Sequence, residues 1–282
     1  MVEMLQKLAP AKVNLFLRVL GKRTDGYHEI VSLMQKISLY DELTFLPRPK
    51  GIVLKCPNSD LPITDDNLIF RAAEALFVHT GYLSGVEITL MKNIPVAAGL
   101  GGGSSDAATT LLALNEMCQL GLKKVELMKI GAKLGADVPF FIFGSSAFAE
   151  GRGEKLKAWI NPLKLNIVLI NPGFSLSTKL VYESLNLRLT KKRINYSIPR
   201  FSELGDIIRE MHNDLETASL RMHPELTDIK QLLLRHGALS AMMSGSGPTV
   251  FGIFTDENSA KKAAGDLNKV SRQGRVFFAQ SL

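Results

Sequence analysis

Residues 95–108 read PVAAGLGGGSSDAA, and this run limits what the chain can fold into more than any other. Ahead of it Val86, Glu87, Ile88, Thr89 and Leu90 alternate apolar and polar, the period of a half-buried strand. Behind it Ala107, Leu111, Leu114 and Cys118 recur at spacings of four, three and four, which marks one helical face. Between strand and helix lie Gly99, Gly101, Gly102 and Gly103, followed by Ser104 and Ser105. Glycine lets the backbone approach a ligand closely, and the free N–H groups and positive dipole end of a helix favour an anion. Strand, glycine loop and helix in that order predict a phosphate cradle. A mere link between two elements is usually short and seldom needs so many glycines. Ser104 and Ser105 suit two purposes that the pattern leaves open, capping the helix or bonding phosphate oxygens.

Two commoner glycine loops are excluded. A Walker A loop follows its last glycine with lysine, and no lysine follows Gly103. A Rossmann GxGxxG counted from Gly99 puts Ser104 where the final glycine belongs.

The 282 residues suffice for one large domain or two of ordinary size, and their 46% hydrophobic and 22% charged composition is that of a globular protein. No segment approaches the ~20 apolar residues of a membrane span. The N-terminal MVEMLQKLAP lacks the apolar stretch of a signal peptide, so a cytoplasmic enzyme with no membrane partner is expected. Cys56 and Cys118 stand far apart, and His79, His212, His223 and His236 show no ligand spacing, so no protein-held metal is expected. The net charge of +7 is compatible with nucleic acid, a membrane surface or a polyanionic small substrate. Its densest patch is residues 187–200, with Arg188, Lys191, Lys192, Arg193 and Arg200. Only Tyr196 lies among them, whereas an RNA-binding surface interleaves basic residues with stacking aromatics. A solvated surface stretch is the reading, and no nucleic-acid partner is expected.

Along the chain, residues 8–20 alternate as a strand, with Val13, Leu15, Leu17 and Val19 on one face and Lys12, Asn14, Phe16 and Arg18 on the other. A helix is predicted over 67–80, capped by Asp65 and Asp66 and closed by Gly81. The stretch GRGEKLKAWINP at 151–162 breaks both periodicities, which places a domain boundary near residue 158 and divides the chain into 1–158 and 159–282. The second part reads as strands at 165–170, 240–243, 250–254 and 276–279 and helices at 224–236 and 258–267, with SGSGPT at 244–249 between two strands. Mixed order of this kind predicts the α+β class.

Three stretches together carry a resemblance: PAKVNLFLRV at 10–19, the glycine loop, and SGSGPT. With them the chain resembles the GHMP kinases, the group that includes galactokinase, homoserine kinase and mevalonate kinase. GKRTDGYHE at 21–29, GADVPFF at 135–141, AEGRGE at 149–154 and NDLE at 213–216 are similar to the members whose acceptor carries a cytidyl group. The resemblance implies a two-domain fold, an N-terminal domain like the second domain of ribosomal protein S5 plus a C-terminal α+β domain. It implies transfer of the γ-phosphoryl group of ATP, accompanied by Mg²⁺, to an alcohol of a small cytidyl substrate, by a monomer or homodimer.

Residue by residue, the resemblance gives Lys12 and Asp137 to catalysis. It gives Pro95, Val96, Ala97, Ala98, Gly99, Leu100, Gly101, Gly102, Gly103, Ser104 and Ser105 to ATP, and Asn14, Tyr27, His28, Thr178 and Tyr182 to the acceptor. In the cytidyl pocket it implies, Tyr27 stacks on the base, His28 supplies hydrogen bonds and Tyr182 is the opposing wall. Gly245, Ser246 and Gly247 read as a second anion-friendly turn, a wall or lid over phosphates. Spacing alone gives Asp137 another reading, as the cap of a short helix starting at Val138 and Pro139. Lys179 departs from the proline that related enzymes often carry.

Overall fold

The structure is a computed structural model that describes residues 4–160, 163–185, 203–270 and 274–282. The basic stretch at 187–200 lies outside the described residues. In chain order the elements begin with strands β1 (Leu5–Lys22), β2 (His28–Arg48) and β3 (Ile52–Lys55), helix α1 (Leu68–Thr80) and strand β4 (Gly85–Met91). Helices α2 (Gly102–Met117), α3 (Lys124–Leu134) and α4 (Val138–Phe143) follow, then strands β5 (Ala147–Gly151), β6 (Lys155–Ala158) and β7 (Asn166–Asn171). The chain continues through α5 (Thr178–Glu183), α6 (Leu204–Glu210), β8 (His212–Asn213), α7 (Glu216–Met222) and α8 (Glu225–Arg235). It closes with β9 (Ser240–Met243), β10 (Val250–Phe254), α9 (Glu257–Val270) and β11 (Arg275–Gln280). The α+β class predicted from the sequence is the class observed.

These elements form two compact units, and neither is continuous in sequence. The first comprises Met1–Ala11, Tyr40–Ile94 and Gly101–Gly144. In it β4 pairs antiparallel with the C-terminal part of β2 and parallel with β3. Helices α1, α2, α3 and α4 pack on one another, and Gly131 permits the close approach of α3 to α4, since a Cβ there would lie 2.7 Å from Val138 Cγ1. The expected stripe on α2 is too narrow. Ala108, Thr109 and Thr110 are buried along with Ala107, Leu111 and Leu114, so small residues let neighbours close in around most of the helix.

The α1 start also differs from the expectation. Asn67, not Asp65 or Asp66, is the cap, and its side chain accepts the Ile69 N–H at 2.9 Å. Gly81 closes the helix in the left-handed region as expected, at φ 69°.

The second unit comprises Lys12–Leu39, Pro95–Leu100 and Ser145–Leu282. Here β8 runs parallel to β1, and β5 pairs with the N-terminal part of β2 and with β6. A second sheet, in the order β11-β7-β10-β9, is antiparallel throughout. Val168, Ile170, Val250 and Phe254 of that sheet share a core with Leu226 and Leu233 of α8 and Ala260, Ala263 and Leu267 of α9. Residues 151–158, read from the sequence as a break in structure, instead form the turn and second strand of the β5–β6 hairpin. Gly151 and Gly153 turn the chain at φ 76° and 113°. The strand itself is mostly exposed Lys-Leu-Lys-Ala, too poor in apolar residues to show a period, and lysine is a common occupant of an exposed edge.

The alternation of β1 holds, but both of its faces are buried. Lys12, Asn14 and Phe16 are as inaccessible as Val13, Leu15 and Leu17, so the face that reads as polar is an interior one. If Asn67 carries the α1 cap, Asn67→Ala lowers stability by ~1 kcal/mol, whereas Asp66→Ala stays within ~0.5 kcal/mol, as read by urea unfolding. Equal losses in the two variants would contradict the assignment.

Candidate active site

The glycine loop enters the second unit as Pro95–Leu100 and is held there by backbone contacts. Ala97 and Gly99 both lie at positive φ, 50° and 76°. A Cβ on Gly99 would lie 2.1 Å from the Ser244 carbonyl oxygen and 3.0 Å from the Gly247 nitrogen. Only glycine fits. The Ser244 hydroxyl donates to the Gly99 carbonyl at 3.0 Å, and the Thr249 N–H donates to the Ala98 carbonyl at 3.3 Å. The loop and the SGSGPT turn, read separately from the sequence, are thus one interlocked piece of backbone. The turn uses its own glycines in the same way. Gly245 and Gly247 stand at φ 55° and 80°, and a Cβ on Gly247 would meet Met243 Sδ at 2.4 Å.

Lys12 and Asn14 lie against this turn. The Lys12 N–H donates to the Leu100 carbonyl at 2.9 Å, which ties β1 to the loop. Lys12 Nζ donates to Asn14 Oδ1 at 2.5 Å, Asn14 Nδ2 donates to Ser32 Oγ at 2.8 Å, and Ser32 Oγ donates to the Phe16 carbonyl at 2.8 Å. All three side chains are buried. A Cβ on Gly245 would lie 3.3 Å from both Lys12 Nζ and Asn14 Oδ1, so the turn backs the pair directly. An ammonium taken out of water is costly unless charges or hydrogen bonds compensate it, and such a group is suited to offset the charge of a nearby anion.

The residues that the resemblance gives to a cytidyl acceptor also fall in the second unit. His28 stacks on Tyr182, with ring centroids 4.8 Å apart and planes 26° apart. Burial, aided by nearby Lys22, lowers the pKa of His28 and favours its neutral form. Tyr27 is 54% exposed, and the Arg152 guanidinium sits 4.9 Å from its ring centroid. Thr178 Oγ1 is hydrogen-bonded to Ser246 Oγ at 2.8 Å, which links the start of α5 to the glycine turn. Ser177 caps α5, and Lys179 occupies its first turn, where proline is also tolerated.

In the first unit the loop's remaining residues begin α2. Gly101, at φ 71°, is the N-cap, so the N–H groups of Gly102, Gly103 and Ser104 precede the first intrahelical bond, from Ser105 N–H to the Gly101 carbonyl at 2.9 Å. Ser104 and Ser105 lie inside the first turns and do not cap. The Ser105 hydroxyl is buried with no hydrogen-bond partner among the described residues. Asp137 stands at the N-cap position of α4, but its side chain makes no capping bond. Gly135, two residues earlier, faces Ser104: a Cβ there would lie 3.6 Å from its hydroxyl.

Beneath the start of α2 lies a charge cluster that sequence reasoning missed. Lys92 Nζ donates to Asp41 Oδ2 at 2.5 Å and to Asp106 Oδ2 at 2.7 Å. Asp41 Oδ1 also accepts the Asn93 and Ile94 N–H groups at 2.7 and 2.8 Å. A Cβ on Gly102 would lie 2.9 Å from Lys92 Nζ, so the cluster abuts the first residue of the helix. Burial pushes the Asp106 carboxyl up to about 7, against the pull of Lys92 and with a further push from Asp41. Burial draws Lys92 downward, but the two carboxylates outweigh it and hold the lysine above its ordinary range. The available signal was an acidic residue set among alanines and serines, SSDAA, on a helix whose other positions near it carry no charge.

Profiles of the GHMP kinases N terminal domain and the GHMP kinases C terminal domain match residues 67–145 and 193–273. The 4-diphosphocytidyl-2-C-methyl-D-erythritol kinase of Syntrophus aciditrophicus is 58% identical over 99% of this chain and 100% of its own length. The enzyme of the same name from Syntrophotalea carbinolica is 50% identical, with 96% of each chain covered. A crystal structure of 4-(cytidine 5'-diphospho)-2C-methyl-D-erythritol kinase superimposes with a TM-score of 0.84 at 36% identity, covering 98% of this chain and 99% of that one. A homoserine kinase from Cytophaga hutchinsonii shares the fold, with a TM-score of 0.74 at 19% identity, 100% of this chain and 95% of that one being covered.

The raised pKa of Asp106 has a measurable consequence. Its neutral carboxyl stabilises the fold fully below the ordinary carboxylate value, and that contribution is lost as pH rises through the folded value. Between pH 3.8 and about 7 the wild type therefore loses stability relative to Asp106→Asn, which cannot titrate. Urea unfolding of both proteins across that range measures the difference, and parallel pH curves would refute it.

Proposed function

The chain belongs to the GHMP kinase family and within it to the 4-diphosphocytidyl-2-C-methyl-D-erythritol kinases, and from that premise we propose its reaction in atomic terms. The protein transfers the γ-phosphoryl group of ATP to the 2-hydroxyl of 4-diphosphocytidyl-2-C-methyl-D-erythritol, a step of isoprenoid precursor synthesis by the methylerythritol phosphate route. Residues 1–158 and 159–282 are assigned to its N-terminal and C-terminal kinase domains.

The residues at the glycine loop fit a nucleotide phosphate. Gly99 leaves no room for a side chain, α2 opens on N–H groups that precede its first internal bond, and the buried Ser105 hydroxyl has no partner among the described residues. The backbone of Gly102, Gly103 and Ser104 and the Ser105 hydroxyl are the groups assigned to hold phosphate oxygens. Mg²⁺, arriving with ATP, supplies positive charge to the phosphate oxygens.

Asp137 is assigned as general base. An alcohol is a weak nucleophile, and a carboxylate within hydrogen-bond reach takes its proton as the new O–P bond forms, an effect worth roughly 10²–10⁴ in rate. Lys12 is assigned to offset charge on the transferring group, with Asn14 holding its ammonium in place. His28, Tyr182, Tyr27 and Thr178 are assigned to the cytidyl group, which stacks on an aromatic face with a gain of about 1–3 kcal/mol. A neutral imidazole offers the base both a donor and an acceptor. The observation that carries the reading is the buried Lys12–Asn14 pair backed by the turn that also locks Gly99.

An ADP-release assay with the cytidyl compound, homoserine, mevalonate and galactose as acceptors should give turnover with the first. Turnover with another acceptor and none with the cytidyl compound would sink the assignment. Asp137→Asn is expected to lower kcat about a hundredfold or more while ATP still binds. Unchanged turnover would return Asp137 to a structural place at the head of α4.

A further inference from the structure

The NDLE run at 213–216 has no part in the reaction described above, yet it is bonded on one side to β1 and on the other to the SGSGPT turn. On the β1 side, β8 pairs parallel with Phe16 and Leu17. The Asp214 N–H donates to the Leu17 carbonyl at 3.0 Å, and Asp214 Oδ2 accepts the Val19 N–H at 2.7 Å. On the turn side, Asn213 Nδ2 donates to the Met243 and Gly245 carbonyls, each at 2.8 Å. Glu216 Oε1 accepts the Met243 N–H at 2.8 Å, while its other oxygen pairs with Lys230 at 2.7 Å.

We propose that Asn213 is a positioning residue for phosphoryl transfer, one that sets the Gly245 turn against Lys12 and Asn14. This rests on the kinase reading above. The two carbonyls that Asn213 grips bracket Ser244, whose hydroxyl bonds Gly99 and whose carbonyl is the atom that a Gly99 Cβ would strike. One buried carboxamide thus holds the carbonyls of the residues on either side of the one that locks the glycine loop. Gly245, the second of the gripped residues, is also the one that backs Lys12 Nζ and Asn14 Oδ1. Asn213 acts on the reacting groups only through that turn.

The side-chain chemistry is specific to asparagine. The position requires two donors for the two carbonyls and one acceptor, since Asn213 Oδ1 takes the Leu215 N–H at 3.0 Å. Aspartate supplies the acceptor and neither donor, and serine supplies an acceptor and a single donor. Glutamine has the groups on a longer stem, and the site is buried, so it cannot place them equally.

The test is steady-state kinetics on the full chain, with thermal unfolding measured alongside. Asn213→Asp keeps the shape and the Leu215 bond but sets a carboxylate against two carbonyl oxygens. Its kcat is expected to fall about tenfold to a hundredfold, the scale of a small misplacement of reacting groups, with the acceptor KM unchanged. Gly245→Ala acts on the same turn, so in a double-mutant cycle the two effects on kcat should combine to less than their product. A folded Asn213→Asp with wild-type kcat overturns the proposal, and so does a cycle in which the effects simply multiply. Should Asn213→Asp fail to fold, Asn213→Ser is measured the same way, and wild-type kcat in that variant is equally fatal. Wild-type protein that ignores the cytidyl acceptor but phosphorylates another overturns the substrate assignment, and the Asn213 comparison is then read with the acceptor that turns over.

Discussion

The close approach of Gly99 to the Ser244 and Gly247 backbone is the constraint on which the candidate site depends. The two turns can share that space only because Gly99 carries no side chain at the point of contact. Once they are in contact, the carbonyls of Ala98 and Gly99 are used by Thr249 and Ser244, and the Leu100 carbonyl is used by Lys12. Every backbone group used this way fixes one more residue of the loop, and buried backbone groups left unpaired would be costly. The glycines therefore serve first as a packing device. Their openness to a phosphate follows from the same absence of Cβ atoms.

Around this contact the protein buries polar groups that an ordinary core would exclude. Lys12, Asn14 and Ser32 form a chain in which each donates to the next, ending on the Phe16 carbonyl. Lys92, Asp41 and Asp106 form a second network at the start of α2, with one lysine between two carboxylates. Replacing such networks with apolar residues is often neutral or stabilising, whereas removing one member is not. Their place next to the glycine loop suits positioning better than stability. A polar network holds its members at hydrogen-bond lengths, while an apolar contact tolerates sliding.

Much of this was legible in residue order. The period of residues 86–90, the glycines after it and the start of a helix gave the loop its character, and the elements at 224–236, 240–243 and 250–254 fell close to their observed bounds. Misreadings arose where local pattern and environment part. Asp65 and Asp66 look like better caps than Asn67, but the cap is chosen by which side chain meets the Ile69 N–H. Lys-Leu-Lys-Ala at 155–158 carries no strand period because an edge strand needs little burial. The face of β1 that holds Lys12 and Asn14 is buried as well, and nothing in an alternating pattern says what will cover it.

By itself the sequence determined the local chemistry: where backbone can turn left-handed, where a helix opens on free N–H groups, and which side chains can donate, accept or ionise. These are properties of single residues and near neighbours, so order alone reveals them. Only the tertiary structure decided that Gly99 meets a turn some 145 residues away, that His28 stacks on Tyr182, and that Asn213 grips the carbonyls on both sides of Ser244. Each of these contacts joins segments distant in the chain. Such contacts exist because packing brings backbone and side chains within bonding distance, and no periodicity in the sequence records that distance.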